Sequence, residues 1–347
     1  LYVLLFFLGP TFTIFTQRYI FTSGKFSKEQ MLRIYYKKDR RLAKENDLEL
    51  LRDIPMESLI WVDLQNPTVK EKVTIETYFD IKYSSEEESQ EIESSSRFNE
   101  LEDEIVINSN FLSFHDKGFS YCPVSIILEK GILFTYRDDD LKTFSESVKR
   151  IKASPGSFSN GYQILLALLE TSIDWDADLI EGLAKEIAEL NQQLTLKKNR
   201  PDEEILIRLS SFQNETMSLR ENIIDKQRLI SSLMKSSIFP EEYKGVLRIM
   251  IRDISSILEH NKFAFERLEY LQNTFLGFVN IEQNRIIKIF TVATVAFMPP
   301  TLIASIYGMN FRFMPELDWH YGYIFAITLM FLSSIATLIF FRKKNWL

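Results

Sequence analysis

The chain has 347 residues, 48 acidic against 41 basic side chains, 46% hydrophobic and 26% charged content, which excludes a disordered chain and suits about two domains. A single cysteine, Cys122, excludes a disulfide framework and a Cys-rich zinc site and fits a reducing compartment for the bulk of the chain. The net charge of −7 argues against nucleic acid as a partner.

Residues 1–15, LYVLLFFLGPTFTIF, are apolar but broken by Gly9 and Pro10, and are too short to cross a bilayer. Residues 1–24 are read as an N-terminal extension without functional weight; as a cleaved leader they would reverse the topology derived below. Over residues 25–155, short runs rich in β-branched and aromatic residues recur between polar turns: LRIYY near 32, LIWVDL at 59, IVINSNFLSF from 105, VSIILEK at 124 and ILFTY at 132. These are predicted strands, and helical patterns after Pro67 and Asp138 make the region a mixed α/β domain. The acidic, serine-rich run 84–96 is expected to be a solvated helix or loop.

Residues 156–239 change character. Helices over 161–198 and 202–239, joined at Asn199-Arg200-Pro201 with Asp202 as N-cap, are predicted to form an antiparallel hairpin. The first carries Glu170, Asp174, Asp176, Asp178, Glu181, Glu186 and Glu189, as a solvated face or as a field that concentrates cations. From Pro240 to Tyr307 helical periodicity continues without a break, with Leu247, Met250, Ile254, Ile257, Phe265, Leu268, Leu271, Phe275 and Phe278 on one stripe. That is about 100 Å of helix at about 1.5 Å per residue, and its stripe is expected to pack on copies of itself.

Residues 289–307 and 321–341 contain no charged side chain, and each is long enough to cross about 30 Å of hydrocarbon. Arg342, Lys343 and Lys344 open the basic tail 342–347, whereas the connection 308–320 holds one arginine against Glu316 and Asp318. The positive-inside bias places the C-terminus in the cytoplasm, and two crossings return the N-terminal part there too, with the connection outside. Tyr307, Trp319, Tyr321, Tyr323 and Trp346 stand at the predicted interfaces, as aromatic belts do.

The first span is polar for an anchor, with Thr291, Thr294, Pro299, Pro300, Thr301 and Ser305. Two prolines strip backbone hydrogen bonds, which is tolerated where neighbouring helices or a water-filled cavity satisfy the freed carbonyls. Stepping three or four residues from Asn284 gives Ile287, Phe290 or Thr291, Thr294, Met298, Thr301 and Ser305 on one face. Two spans cannot enclose a pore, so several copies must surround it.

YGMNF at 307–311, followed by MPEL at 314–317, resembles the hallmark of the CorA magnesium transporters of the metal ion transporter superfamily. GFVNIEQNRIIKIF at 277–290, MPPTLIASIYGMNFRFMPEL at 298–317 and the ending FRKKNWL are similar to the enterobacterial-type branch; IESSSRF at 92–98 is the clearest match further upstream. The resemblance implies a homopentameric funnel in a bacterial inner membrane. Its parts would be an α/β N-terminal cytoplasmic domain, a long helical stalk and two C-terminal transmembrane helices, the first lining a central pore.

The resemblance also makes Gly308, Met309 and Asn310 the selectivity filter. Asn310 would form a ring of neutral amide oxygens that accept hydrogen bonds from hydrated Mg2+ without stripping it, with Gly308 allowing the turn and Met309 bracing the loop. Asn284 and Thr301 are implied polar pore positions, with Met298 and Phe290 as apolar constrictions, Ile287 as a further pore-facing residue, and Glu316 adding negative potential at the mouth. Regulatory Mg2+ is implied between neighbouring subunits, with Glu91 and Asp253 as the nearest equivalents of the family's acidic pair. Cargo would be chiefly Mg2+, with Co2+ and Ni2+; a zinc or broad divalent carrier and a non-transporting membrane-tethered scaffold are the alternatives.

The membrane potential supplies about 4.6 kcal/mol per 100 mV for a dication, enough for on the order of a thousandfold accumulation. No GxxxxGK[ST] loop occurs, so ATP coupling is not suggested. His115, His260 and His320 are scattered, and neither HExxH nor GxSxG is present, so neither an enzyme nor an organic cofactor is expected.

Overall fold

The computed structural model describes residues 31–38, 41–84, 97–115, 118–196, 203–312, 314–315 and 318–344. Seven strands, β1 (Met31–Lys38), β2 (Arg41–Glu45), β3 (Leu59–Gln65), β4 (Phe98–Glu100), β5 (Glu104–His115), β6 (Gly118–Glu129) and β7 (Ile132–Arg137), form one sheet. The helices are α1 (Val69–Phe79), α2 (Lys142–Ala153), α3 (Gly161–Leu196), α4 (Glu203–Lys235), α5 (Glu241–Tyr307) and α6 (Gly322–Lys343). The α/β domain, the long helix and two apolar C-terminal helices thus follow the fold class expected. The short charged β2 and three-residue β4 carry no apolar pattern and escaped the sequence reading.

The sheet order is β2-β1-β3-β7-β6-β5-β4, with β3 and β7 parallel and the other neighbours antiparallel. Every residue of β3 is buried, because layers cover both faces. On one face Leu32, Ile34, Val62, Leu64 and Phe134 meet Ile75 and Phe79 of α1. Helix α1 begins with a capping box between Thr68 and Glu71 and ends at Asp80 in the left-handed region, so both ends of this short helix are satisfied locally.

The other face is built around a polar chain. Trp61 stacks on Tyr35 at 4.8 Å, and its indole N–H donates to the Thr135 hydroxyl at 3.0 Å, which donates to Asp63 at 2.8 Å. Burial works against the charge of Asp63, but Arg137, at 3.0 Å, and then Arg33, at 2.9 Å, hold its carboxyl below the ordinary aspartate value. The Arg137 guanidinium also lies 4.4 Å from the centre of the Phe144 ring of α2.

Lys130 (φ 47°) and Gly131 (φ 82°) form the two-residue turn between β6 and β7, the left-handed pair that a tight hairpin requires. Gly161 opens α3 against this turn, its amide donating to the Gly131 carbonyl at 2.6 Å. A Cβ there would come within 2.4 Å of the Leu133 nitrogen, so only glycine permits the contact.

The chain divides into two compact units, residues up to Ala184 with Asn214–Ala264, and Lys185–Gln213 with Phe265–Leu347. In the first, Asp176 of α3 and Lys226 of α4 form a buried ion pair at 2.6 Å, and Asn222 donates to the same carboxylate at 3.2 Å. Burial pushes the Asp176 carboxyl up and the Lys226 ammonium down, each against the attraction of the other. Asp176 therefore does not belong to the solvated acidic face expected of this helix: a lysine on α4 faces it across a dry contact. Glu170 is also paired, with Arg150 at 2.6 Å, whereas Asp174 and Asp178 are exposed. Asn199-Arg200-Pro201 and Asp202 lie outside the described residues.

The apolar stripe of α5 also departs from expectation. Leu247, Met250, Ile254, Ile257, Leu268, Leu271 and Phe275 are buried within the single chain and so do not await copies, whereas Phe265 is half-buried and Phe278 exposed. In the first unit, Asn261 of α5 donates to the Thr216 carbonyl of α4 at 3.1 Å; in the second, Gln213 of α4 donates to Gln272 of α5 at 3.1 Å. The hairpin thus supplies the partner surface that α5 lacks as a lone helix.

Candidate functional site

Helix α5 runs 67 residues and α6 22, and each contains a segment long and apolar enough to cross a membrane. Within the second unit, Val292 and Ala296 of α5 are buried and Ile303 is half-buried. The Ser334 hydroxyl of α6 donates to the Ala296 carbonyl at 3.1 Å, which identifies this as the side of α5 that packs on α6.

Residues on a helix advance by about 100° each. On that count Asn284, Ile287, Phe290, Thr294, Met298, Thr301 and Ser305 fall on an arc roughly opposite the Val292–Ala296–Ile303 side. All seven are exposed in the single chain; Phe290 is 69% and Met298 60% accessible. Among the described residues, this helix therefore presents two faces, one occupied by α6 and one left open. The open face mixes amide and hydroxyl groups with bulky apolar ones. The Thr301 hydroxyl donates to the Phe297 carbonyl at 2.7 Å, which leaves its oxygen lone pairs on the open face.

At the end of this face the Gly308 amide donates to the Ala304 carbonyl at 2.9 Å and that of Met309 to the Ile306 carbonyl at 3.2 Å. These bonds close the last turn of α5. A Cβ at Gly308 would lie 3.1 Å from the Ala304 carbonyl oxygen, tighter than ordinary contact. Asn310, the next residue but one, has left the helix and is exposed. Met309 is 46% exposed. Across the connection the Trp319 ring packs against Phe325 at 5.7 Å, fixing the entry to α6 at the predicted interface.

Asp253 is exposed on α5; Glu91 lies outside the described residues, as does Glu316 of the outer connection. Partial burial, followed by the neighbouring charges of Asp178 and Asp253, pushes the Asp174 carboxyl up against the opposing effect of Arg150. These acids thus feel one another in the first unit, yet among the described residues no group of three or more His, Cys, Asp or Glu side chains is arranged to hold a metal.

Comparison with known proteins decides the family. Residues 56–343 match the family described as CorA-like Mg2+ transporter protein. The chain belongs to that family. It is a family of transporters rather than enzymes. Among its relatives, the magnesium transport protein CorA of Wolinella succinogenes is 38% identical over 322 residues, and that of Helicobacter pylori 36% over 320; both alignments cover 91% of this chain and all of the relative. A solved structure of the CorA magnesium transporter from Methanocaldococcus jannaschii superposes with a TM-score of 0.77, covering 91% of this chain and 99% of that one at 21% identity. At that identity the likeness speaks for the fold.

The sequence reading missed Ser334 and the Asp63–Arg137 and Asp176–Lys226 pairs. Each partner sits far away in sequence, so only an orphaned group such as the carbonyl behind Pro300 could have signalled one of them.

Proposed function

We propose that the chain conducts Mg2+, with Co2+ and Ni2+ as further cargo, as a homopentamer in a bacterial inner membrane with both termini in the cytoplasm. The C-terminal half of α5 from five copies surrounds a water-filled axis, α6 packs outside, and Asn310 forms the ring at the outer mouth. The observation that carries this reading is the exposed face of α5 opposite its α6 contact, running from Asn284 to Ser305 and ending at the exposed Asn310. Isolated in lipid, that face would leave polar groups without partners; around an axis it meets water. Neutral amide oxygens suit a cation that surrenders its hydration shell reluctantly, since they accept hydrogen bonds from bound water without holding the ion as a carboxylate would. The driving force is the membrane potential, with no ATP step.

The test is potential-driven Mg2+ entry into liposomes that hold the purified protein. Asn310→Ala removes a hydrogen bond to a charged species at each of the repeated positions, and entry should fall about ten- to a hundredfold. Unchanged entry would overturn the filter assignment. Competition by Co2+, Ni2+ and Zn2+ in the same vesicles ranks the cargo.

Regulation belongs to the same proposal. Glu91 of one copy and Asp253 of the next would share cytoplasmic Mg2+ and hold the pore shut. Replacing both by their amides should leave entry insensitive to Mg2+ preloaded on the cytoplasmic side; inhibition that survives both replacements rejects the assignment.

A further inference from the structure

Pro299 and Pro300 lie inside α5, where a proline has no amide hydrogen for the carbonyl four residues earlier and its ring crowds that carbonyl. The carbonyl that Pro300 orphans is that of Ala296. It is this oxygen, and no other on α5 for which a bond from α6 is observed among the described residues, that receives the Ser334 hydroxyl, at 3.1 Å. The other serine and threonine hydroxyls of α6 all turn to their own helix: Thr328 to Ile324 at 2.8 Å, Ser333 to Met330 at 2.8 Å and Thr337 to Ser333 at 2.9 Å. Such local bonds are the default for these side chains in apolar surroundings. Ser334 departs from it where a neighbouring helix presents an unpaired acceptor. The Thr301 hydroxyl on α5 is committed to the Phe297 carbonyl at 2.7 Å.

We propose that Ser334 is a positioning residue for ion passage: its hydroxyl replaces the amide hydrogen that Pro300 lacks and so holds Met298 and Thr301, which flank the break, at their places on the open face. The proposal rests on the reading of that face as the pore lining. Its physical basis is that an unpaired carbonyl in hydrocarbon has no water to turn to. Without a donor from α6, the helix must bend or rotate until the carbonyl finds one, and side chains beyond the break move with it. Ala296 is small enough to let α6 approach closely, a property common at helix contacts in membranes.

A double-mutant cycle separates this role from simple packing. Ser334→Ala should lower potential-driven Mg2+ entry roughly three- to tenfold, while Ser334→Thr, which keeps the hydroxyl, should retain entry. Pro300→Ala restores an amide hydrogen for Ala296, and in that background Ser334→Ala should change entry by less than about twofold. Equal losses in both backgrounds would overturn the proposal, because packing at Ser334 is indifferent to the residue at 300. If Ser334→Ala alone fails to assemble, recovery of the assembled mass in the Ser334→Ala/Pro300→Ala variant supports the proposal and continued failure overturns it. Failure of the pore reading shows separately, as entry unaffected by Asn310→Ala, and the cycle is then still read from the thermal midpoint of the assembled protein.

Discussion

Phe134 and Phe290 are the same side chain in opposite circumstances. Phe134, on β7, is fully buried, with the Phe79 ring 4.7 Å away at a steep angle, and it sits among side chains from β1, β3 and α1. Phe290, on α5, is 69% exposed although it lies in an apolar segment. The sheet completes its apolar packing within one chain, and at its centre Asp63 has two arginines and a threonine. The membrane part of α5 completes its packing on one side only, against α6. Exposure on the first region would be an error of folding, whereas on the second it defines where lipid and further copies belong.

That contrast can be broken by one pair of substitutions. Phe134→Ala opens a cavity in a closed core and should cost about 3–5 kcal/mol in detergent unfolding measurements. Phe290→Ala removes as many atoms, but from a face that is open among the described residues. It should leave unfolding within about 0.5 kcal/mol and appear instead as increased Mg2+ leak through the assembled protein. A large loss of stability without leak at Phe290 would show that the open face is an ordinary packing surface.

A smaller effect sharpens the comparison on the side of the closed region. Removing one partner of the buried pair, as in Lys226→Met, strands the Asp176 carboxylate and should destabilise by about 3 kcal/mol. Combining it with Asp176→Leu removes both charges and should bring unfolding back to within about 1 kcal/mol of the native chain. Burial already shifts both groups toward their neutral forms, so desolvation opposes this pair strongly. Additive losses in the double variant would show that the pair stabilises the hairpin in its own right.

Much of this was legible in the chain itself. Runs such as LIWVDL and ILFTY announce strands because β-branched and aromatic residues suit a pleated surface, and β3 and β7 lie at those positions. Helix α5 was readable because nothing before Pro299 interrupts its periodicity. The candidate pore face was readable as a spacing, and the structure adds that α6 occupies the other side. What failed was the inference from a stripe to its partner. Leu247 to Phe275 form a real stripe, but an apolar pattern states only that something covers it, and the cover is the chain's own hairpin. Asp176 failed for the converse reason: an acid on a helix looks solvated until a lysine from another helix stands opposite.

Composition, period and the GMN motif by themselves determined the membrane segments, the long helix and the family, because each is a property of residues close together along the chain. Only tertiary structure decided which face of α5 stays open, which hydroxyl answers the carbonyl behind Pro300, and which charges go dry in pairs. Those depend on groups distant in sequence, and a buried donor or acceptor accepts whichever partner the packing brings within reach.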